Sequence, residues 1–142
     1  MNKIMALDIG TKRIGIALSD FLHVIAGGHS CVERQPEAEA IEKIKKIATE
    51  NKVAKIIIGI PFNMDGTQGA QANDCIDFSK NFEAEFEVIF EDERLTSEQA
   101  EENLRNKKID FRKHKELVDI ESACIILEQY IKREEGKGKR KK

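Results

Sequence analysis

LDIGTKRIGIAL, residues 7–18, sets one carboxylate, Asp8, in an apolar opening run just before a glycine turn. Met5, Ala6 and Leu7 lead in, and Ile14, Ile16 and Leu18 lead out. Residues 3–8 and 13–20 read as two β-branched-rich strands, with Gly10-Thr11-Lys12 as the tight hairpin between them. A buried charge is costly unless it is paired or bound to a metal. Asp8 therefore either caps the turn or holds something.

Outward from that hairpin the chain alternates. A third strand is expected within residues 23–32, bent at Gly27-Gly28. Ile41, Ile44, Ile47 and Ala48 recur at helical spacing over residues 37–51, with Pro36 placed for a first turn. AKIIIGI, residues 54–60, suits a central strand covered on both faces. Residues 69–82 predict a helix with Ala72, Cys75, Ile76 and Phe82 inward, and residues 86–91 the next strand. Thr96 begins a third helix, and Gln99 three residues on matches a capping box. Residues 115–133 predict a last helix with a stripe of Leu117, Ile120, Cys124, Leu127 and Ile131. The order implies an α/β fold: a mixed five-stranded sheet, made of a three-strand antiparallel meander followed by alternating helices and strands, with helices on both faces. One domain is expected over residues 1–135, followed by a basic disordered tail at 136–142.

With 142 residues, 40% of them hydrophobic and 35% charged, the chain is expected to be globular. It has no apolar run long enough to span a bilayer and no leader with a cleavage site, so a cytoplasmic protein with no membrane partner is expected. Cys31, Cys75 and Cys124 form no CxxC pair and signal neither zinc nor a redox motif. The last seven residues, GKGKRKK, carry five basic groups. Without them, 19 basic residues face 26 acidic ones, a net −7. An acidic body with a basic tail suits a protein that meets a polyanion through its tail, although a solubilising terminus has the same composition.

Asp8 ends the first strand, and Asp92 and Glu93 end the last. Asp119 shares a helical stripe with Ala123, Ile126 and Tyr130, which turns it towards the protein body. If the strands of Asp8 and Glu93 were neighbours, their ends would converge with Asp119. Three carboxylates together raise one another's pKa, and divalent cations remove that conflict. Oxygen ligands suit Mg²⁺ or Mn²⁺ rather than zinc. Two such ions can clamp an in-line displacement at phosphorus.

LDIGTKRIGIALSD, GIPFNMDGTQGAQA, EDERLTSEQAE and LVDIESACIILEQYI resemble the four blocks of the YqgF/RuvX family, in order, from residue 5 to about residue 131. The resemblance implies a single RNase H-like domain related in fold to Holliday-junction resolvases. It also implies nuclease processing of the 5′ end of precursor 16S ribosomal RNA in ribosome biogenesis. Asp8, Glu93 and Asp119 would be the metal-binding catalytic carboxylates, Asp8 bridging two Mg²⁺ or Mn²⁺ ions, with products carrying a 5′-phosphate and a 3′-hydroxyl. Strand alternation groups Asp92 with Val88 and Phe90, and Glu93 with Ile89 and Glu91, but it can lapse at a strand end; the family pattern favours Glu93. The chain departs from that pattern at Ile120-Glu121, where relatives often carry small residues. It departs again in KKIDFRKHKE, which lacks the usual glycine.

Lys12, Asn63, Gly66 and Arg94 are the candidate substrate-binding residues, and Arg13 flanks the same acidic ends. Each arginine or lysine either neutralises a phosphate or pairs with a structural carboxylate. Asn63 and Gly66 either meet a phosphate or sugar, or build a structural turn. His114 reads as a proton shuttle or a surface histidine. Lys107, Lys108, Arg112, Lys113 and Lys115 add a basic stretch. One Tyr and no Trp argue for backbone and shape recognition rather than base stacking.

The expected partners are structured RNA, pre-ribosomal particles and, in a second enzyme reading, a branched DNA junction; the protein would be a monomer or a homodimer. Two further classes stay open. A nucleotide phosphotransferase shares the DIGT-type loop but needs two such domains. A non-catalytic RNA-binding assembly factor would keep its role after Asp8→Asn.

Overall fold

The Gly10–Lys12 turn closes with the Gly10 amide donating to the Arg13 carbonyl at 2.9 Å. It joins β1 (Lys3–Ile9) to β2 (Arg13–Ser19), with Asp8 opposite Gly15 and Ile9 opposite Ile14. This is a computed structural model, and it describes residues 2–93, 96–110 and 113–140. β3 (Ala26–Glu33) continues the antiparallel meander, and its register shifts between the partners of Ile16 and Ala17, opposite Ser30 and Gly28. After α1 (Glu37–Glu50), β4 (Val53–Ile60) returns parallel to β1. Then α2 (Ala70–Ser79) and a single 3₁₀ turn at Lys80–Phe82 lead to β5 (Glu87–Asp92), parallel to β4. α3 (Thr96–Asn106) and α4 (Lys115–Arg140) complete the chain. The sheet order is β3-β2-β1-β4-β5, the mixed five-stranded sheet that the alternation of motifs implies.

β1 and β4 lie inside the sheet and are apolar on both faces. Met5, Leu7, Ile9, Ile14, Ile16, Ile56, Ile58 and Ile60 fill one face and pack against α1 and α2. Ile4, Ala6, Ala17 and Ile57 fill the other and meet Ala123, Ile126, Leu127 and Tyr130 of α4. Alternation along β1 sets Asp8 on this second face, in line with Ile4 and Ala6.

α1 starts after Pro36 with Glu37 and Glu39 in its first turn, where the helix dipole favours acid. It ends at Asn51, whose side-chain amide donates to the Ile47 carbonyl at 2.8 Å, followed by Lys52 at φ 56°. Arg34 ties the first turn to α2, donating to the Gly10 carbonyl at 3.0 Å and forming a two-pronged pair with Asp74 at 2.7 Å.

One condition set by the sequence is not met, one expectation changes, and one falls partly outside the described residues. β1 and β5 are not neighbours, because β4 lies between them. The backbone of α4 runs on to Arg140 instead of ending near residue 133; its side chains from 136 onward lie outside the described residues. The capping-box partner Gln99 donates to Asn103 at 2.9 Å, while the Thr96 side chain lies outside the described residues. No helix is long and apolar enough to cross a membrane among the described residues.

Candidate active site

Glycines bring the acidic residues together. Gly15 stands opposite Asp8 in the ladder, and a Cβ there would land on the Asp119 carbonyl group. Its absence lets the backbone of α4 rest directly on β2. Gly28 on β3 does the same for Ile120, whose methyl would meet an added Cβ at 2.5 Å. At Gly59 on β4, a Cβ would meet the Glu93 Oε2 at 2.7 Å and collide with Ile126. A glycine within a strand marks close approach of another group. These three form the floor under α4.

Gly59 also explains how Glu93 reaches Asp8 across an intervening strand. The Glu93 amide donates to the Ile60 carbonyl at 3.1 Å, so the chain holds to β4 one residue past the end of β5. The longer glutamate side chain then lies over the bare backbone of Gly59, buried, and hydrogen-bonds Asp8. Asp92 is exposed. Of the two acids at this strand end, it is Glu93 that lies against Asp8.

Burial raises both carboxyls of this pair. Asp8 is pushed up to about 6, opposed by the hydrogen bond from Glu93 and reinforced by the charge of Asp119. Glu93 is pushed up to about 9 by burial, then by the charge of Asp8. Both carboxyls are therefore biased towards the protonated form, and near neutral pH the pair favours one shared proton in the hydrogen bond between them.

Asp119 faces the other way. Its Oδ2 accepts from Arg13 Nε at 2.9 Å and lies 3.9 Å from the Cys31 thiol, on the β2–β3 side. Burial raises its pKa, and the hydrogen bond from Arg13 opposes the rise. Among the described residues, no three His, Cys, Asp or Glu side chains are grouped so as to hold a metal ion. Among the described residues no cation lies against the Asp8–Glu93 pair, an all-oxygen donor set that fits a hard divalent ion.

The remaining sequence candidates separate. Lys12 is exposed in the turn. Asn63 Nδ2 donates to Thr67 Oγ1 at 2.9 Å, its carbonyl accepts from the Gly66 amide at 2.8 Å, and Gly66 takes φ 87°. That loop is a turn tied to itself, and among the described residues no hydrogen bond from Asn63 reaches the carboxylates. Arg94 and Arg112 lie outside the described residues. His114 is exposed, with Nδ1 3.9 Å from Glu116. Glu121 does not crowd the acids. It accepts from Asn103 at 3.2 Å and lies 3.7 Å from Lys107, joining α4 to α3. Sequence reasoning allowed Arg13 a carboxylate partner without identifying Asp119, and it missed the roles of Gly15 and Gly59, although glycines inside RIGIALS and AKIIIGI were the available signal.

A family model described as "RuvX: Holliday junction resolvase" matches residues 2–133. A protein of Natranaerobius thermophilus named "Putative pre-16S rRNA nuclease" is 37% identical over 137 residues, covering 95% of this chain and 97% of that protein. Proteins of the same name from Clostridioides difficile (39% identical, 91% and 93% covered) and Crocosphaera subtropica (40%, 89% and 90%) match similarly. Among solved structures, the Fowlpox virus resolvase in complex with substrate Holliday junction DNA aligns with TM-score 0.59 at 16% identity, over 92% of this chain and 97% of that one. T. thermophilus RuvC with a Holliday junction substrate aligns with TM-score 0.57 at 13% identity, over 96% and 97%. The fold is that of the RuvC-like resolvases.

Proposed function

Since this chain belongs to the RuvX family, we propose that it is a divalent-metal-dependent nuclease that trims the 5′ end of precursor 16S ribosomal RNA, with Asp8, Glu93 and Asp119 as its metal-holding carboxylates. Nuclease chemistry on phosphodiester bonds comes with the family. The RNA substrate rests on the names of relatives that match along nearly their whole length.

The observation that carries the site is the Asp8–Glu93 pair: two carboxyls with raised pKa, held together over Gly59, with the Asp119 charge acting on Asp8. Proteins do not keep such a pair for stability, because like charges in a poorly solvated place repel. Mg²⁺ or Mn²⁺ bound there supplies an activated water and neutralises charge at the leaving oxygen. The chain's own part is to hold the acids rigidly at the sheet end, to exclude bulk water with the α4 floor, and to offer Lys12 and Arg94 as cations for the nucleic-acid backbone. The pair must lose its shared proton when a cation enters.

The test is incubation with a labelled precursor 16S 5′ leader and, in parallel, a four-way DNA junction, each with Mg²⁺, Mn²⁺ or EDTA, beside Asp8→Asn. Metal-dependent cutting of the leader, lost in the variant, is the expected result. Cutting of the junction alone would move the substrate to branched DNA, the reading that the family description and the junction-bound neighbours favour. No cutting of either by folded, metal-loaded protein would overturn the nuclease site.

A further inference from the structure

Arg13 is only partly engaged at this site. It opens β2, two residues from Gly15, and so shares the α4 face with Asp8. Its Nε donates to Asp119 Oδ2 at 2.9 Å, and its side chain remains 28% exposed. That is the one hydrogen bond of the guanidinium among the described residues, so both Nη groups stay open at the rim. The contrast is Arg34, 7% exposed and engaged by both prongs of Asp74 and the Gly10 carbonyl. Arg34 is built as a tie. Arg13 meets its carboxylate side-on and keeps its fork free, the geometry that grips a phosphate with two parallel bonds.

The contact also decides where Asp119 points. The carboxylate leans to Arg13 and Cys31 on β2 and β3, while Asp8 and Glu93 sit over β1 and β4. We propose that Arg13 is a two-position latch: in the free protein it holds Asp119 away from the Asp8–Glu93 pair, and a backbone phosphate of the nucleic acid draws the guanidinium off and releases Asp119 to complete the site. A guanidinium shared between two anions holds each less tightly, and such coupling is reciprocal. Arg13 is thus a positioning residue that makes a cation site of three acids conditional on substrate. This rests on the three-carboxylate reading above and adds its regulation.

The test uses the full chain and two measurements. In the first, Mn²⁺ binding is followed by electron paramagnetic resonance without nucleic acid. Arg13→Gln is expected to bind about tenfold more tightly than the native chain, within the usual range of coupling. Lys12→Gln, which removes the same charge one residue away without touching Asp119, should change affinity less than about twofold. Equal gains in both variants, or none in Arg13→Gln, would overturn the latch. Arg13→Lys, which keeps the charge but loses the Nε contact, should also gain affinity and serves if the glutamine variant does not fold.

In the second, binding of a stem-loop RNA from the precursor 16S leader is measured in EDTA. Asp119→Asn should tighten binding several-fold where Arg13 is present and not where it is Gln. Equal tightening in both backgrounds would show simple charge removal and overturn the proposal. Asp8→Asn separates the two levels. Unchanged Mn²⁺ affinity there sinks the carboxylate site itself, whereas loss there with no gain in Arg13→Gln sinks only the latch. If no variant binds the RNA, the substrate reading falls and the Mn²⁺ measurement alone decides the latch.

Discussion

The two faces of the sheet are built from different materials. On the α1–α2 face, Met5, Leu7, Ile14, Ile16, Ile56 and Ile58 interdigitate with Ile44, Phe78 and Phe82, all nearly inaccessible. On the α4 face the sheet offers Ala6, Ala17, Gly15, Gly28 and Gly59, and among them Asp8 and Glu93. The first face buries large side chains and supplies stability, each worth roughly 1.5–3 kcal/mol on full burial. The second gives up that bulk so that a helix backbone and two carboxyls can come within contact of the strands. A protein that places charges beside its sheet needs the opposite face to supply most of the stability.

This division is open to direct attack, and the largest effect should come from the acids. Asp8→Asn should lower metal-dependent cleavage about a thousandfold or more, because several kcal/mol of charge stabilisation depend on it; initial rates on the preferred substrate check this. Melting of the metal-free variant should be unchanged or higher, since a repelling charge is gone. Ile58→Ala, on the other face, should show the converse: a loss of about 2–5 kcal/mol in denaturant unfolding, with cleavage by the folded fraction kept within a few-fold.

The glycine floor comes next. Gly15→Ala meets backbone atoms of α4 and should cost about 1–3 kcal/mol and cut activity, because α4 must lift with Asp119. Gly59→Ala meets side-chain ends of Glu93 and Ile126, which give more easily, so its stability loss should be smaller while Mn²⁺ affinity still falls. Gly27→Ala is the control: the nearest atom is 3.9 Å away, and its effect should stay within about 0.5 kcal/mol.

The pH dependence is the finest probe. Asp8 and Glu93 have folded pKa values raised to about 6 and about 9, above ordinary carboxyls near 4. The folded state therefore binds more protons than the unfolded chain in that range. With respect to this pair the metal-free protein should be most stable below about pH 4, where both carboxyls are protonated whether folded or unfolded, and lose stability as pH rises from there through 6 and on to 9. Calorimetric melting in EDTA should show the fall. Glu93→Gln should flatten it, and saturating Mg²⁺ should offset it, by about 2.7 kcal/mol at a hundred times the dissociation constant. A flat profile in the native chain would mean that the pair is not strained by its surroundings.

Much of the plan is legible in the sequence. The hairpin at Gly10–Lys12, the double-sided strand AKIIIGI and the α4 stripe depend on turn chemistry and on periods of 2 and 3.6, which act between near neighbours in the chain. The same local rules marked Asp8 as misplaced in apolar company and turned Asp119 inward. They left Asp92 and Glu93 undivided, because alternation weakens where a strand ends, and they tied the convergence of Asp8 and Glu93 to adjacent strands.

Only the tertiary structure decided those points. β4 inserts between β1 and β5, and the acids meet because Gly59 has no side chain to part them. Asp119 approaches β2 because Gly15 is bare, and its carboxylate turns to Arg13, 106 residues away in sequence. Periodicity reports which way a side chain faces from its own element. Which strands lie side by side, how closely a helix can settle on them, and which of two partners a carboxylate takes depend on contacts between residues far apart in the chain, and no local pattern carries that information.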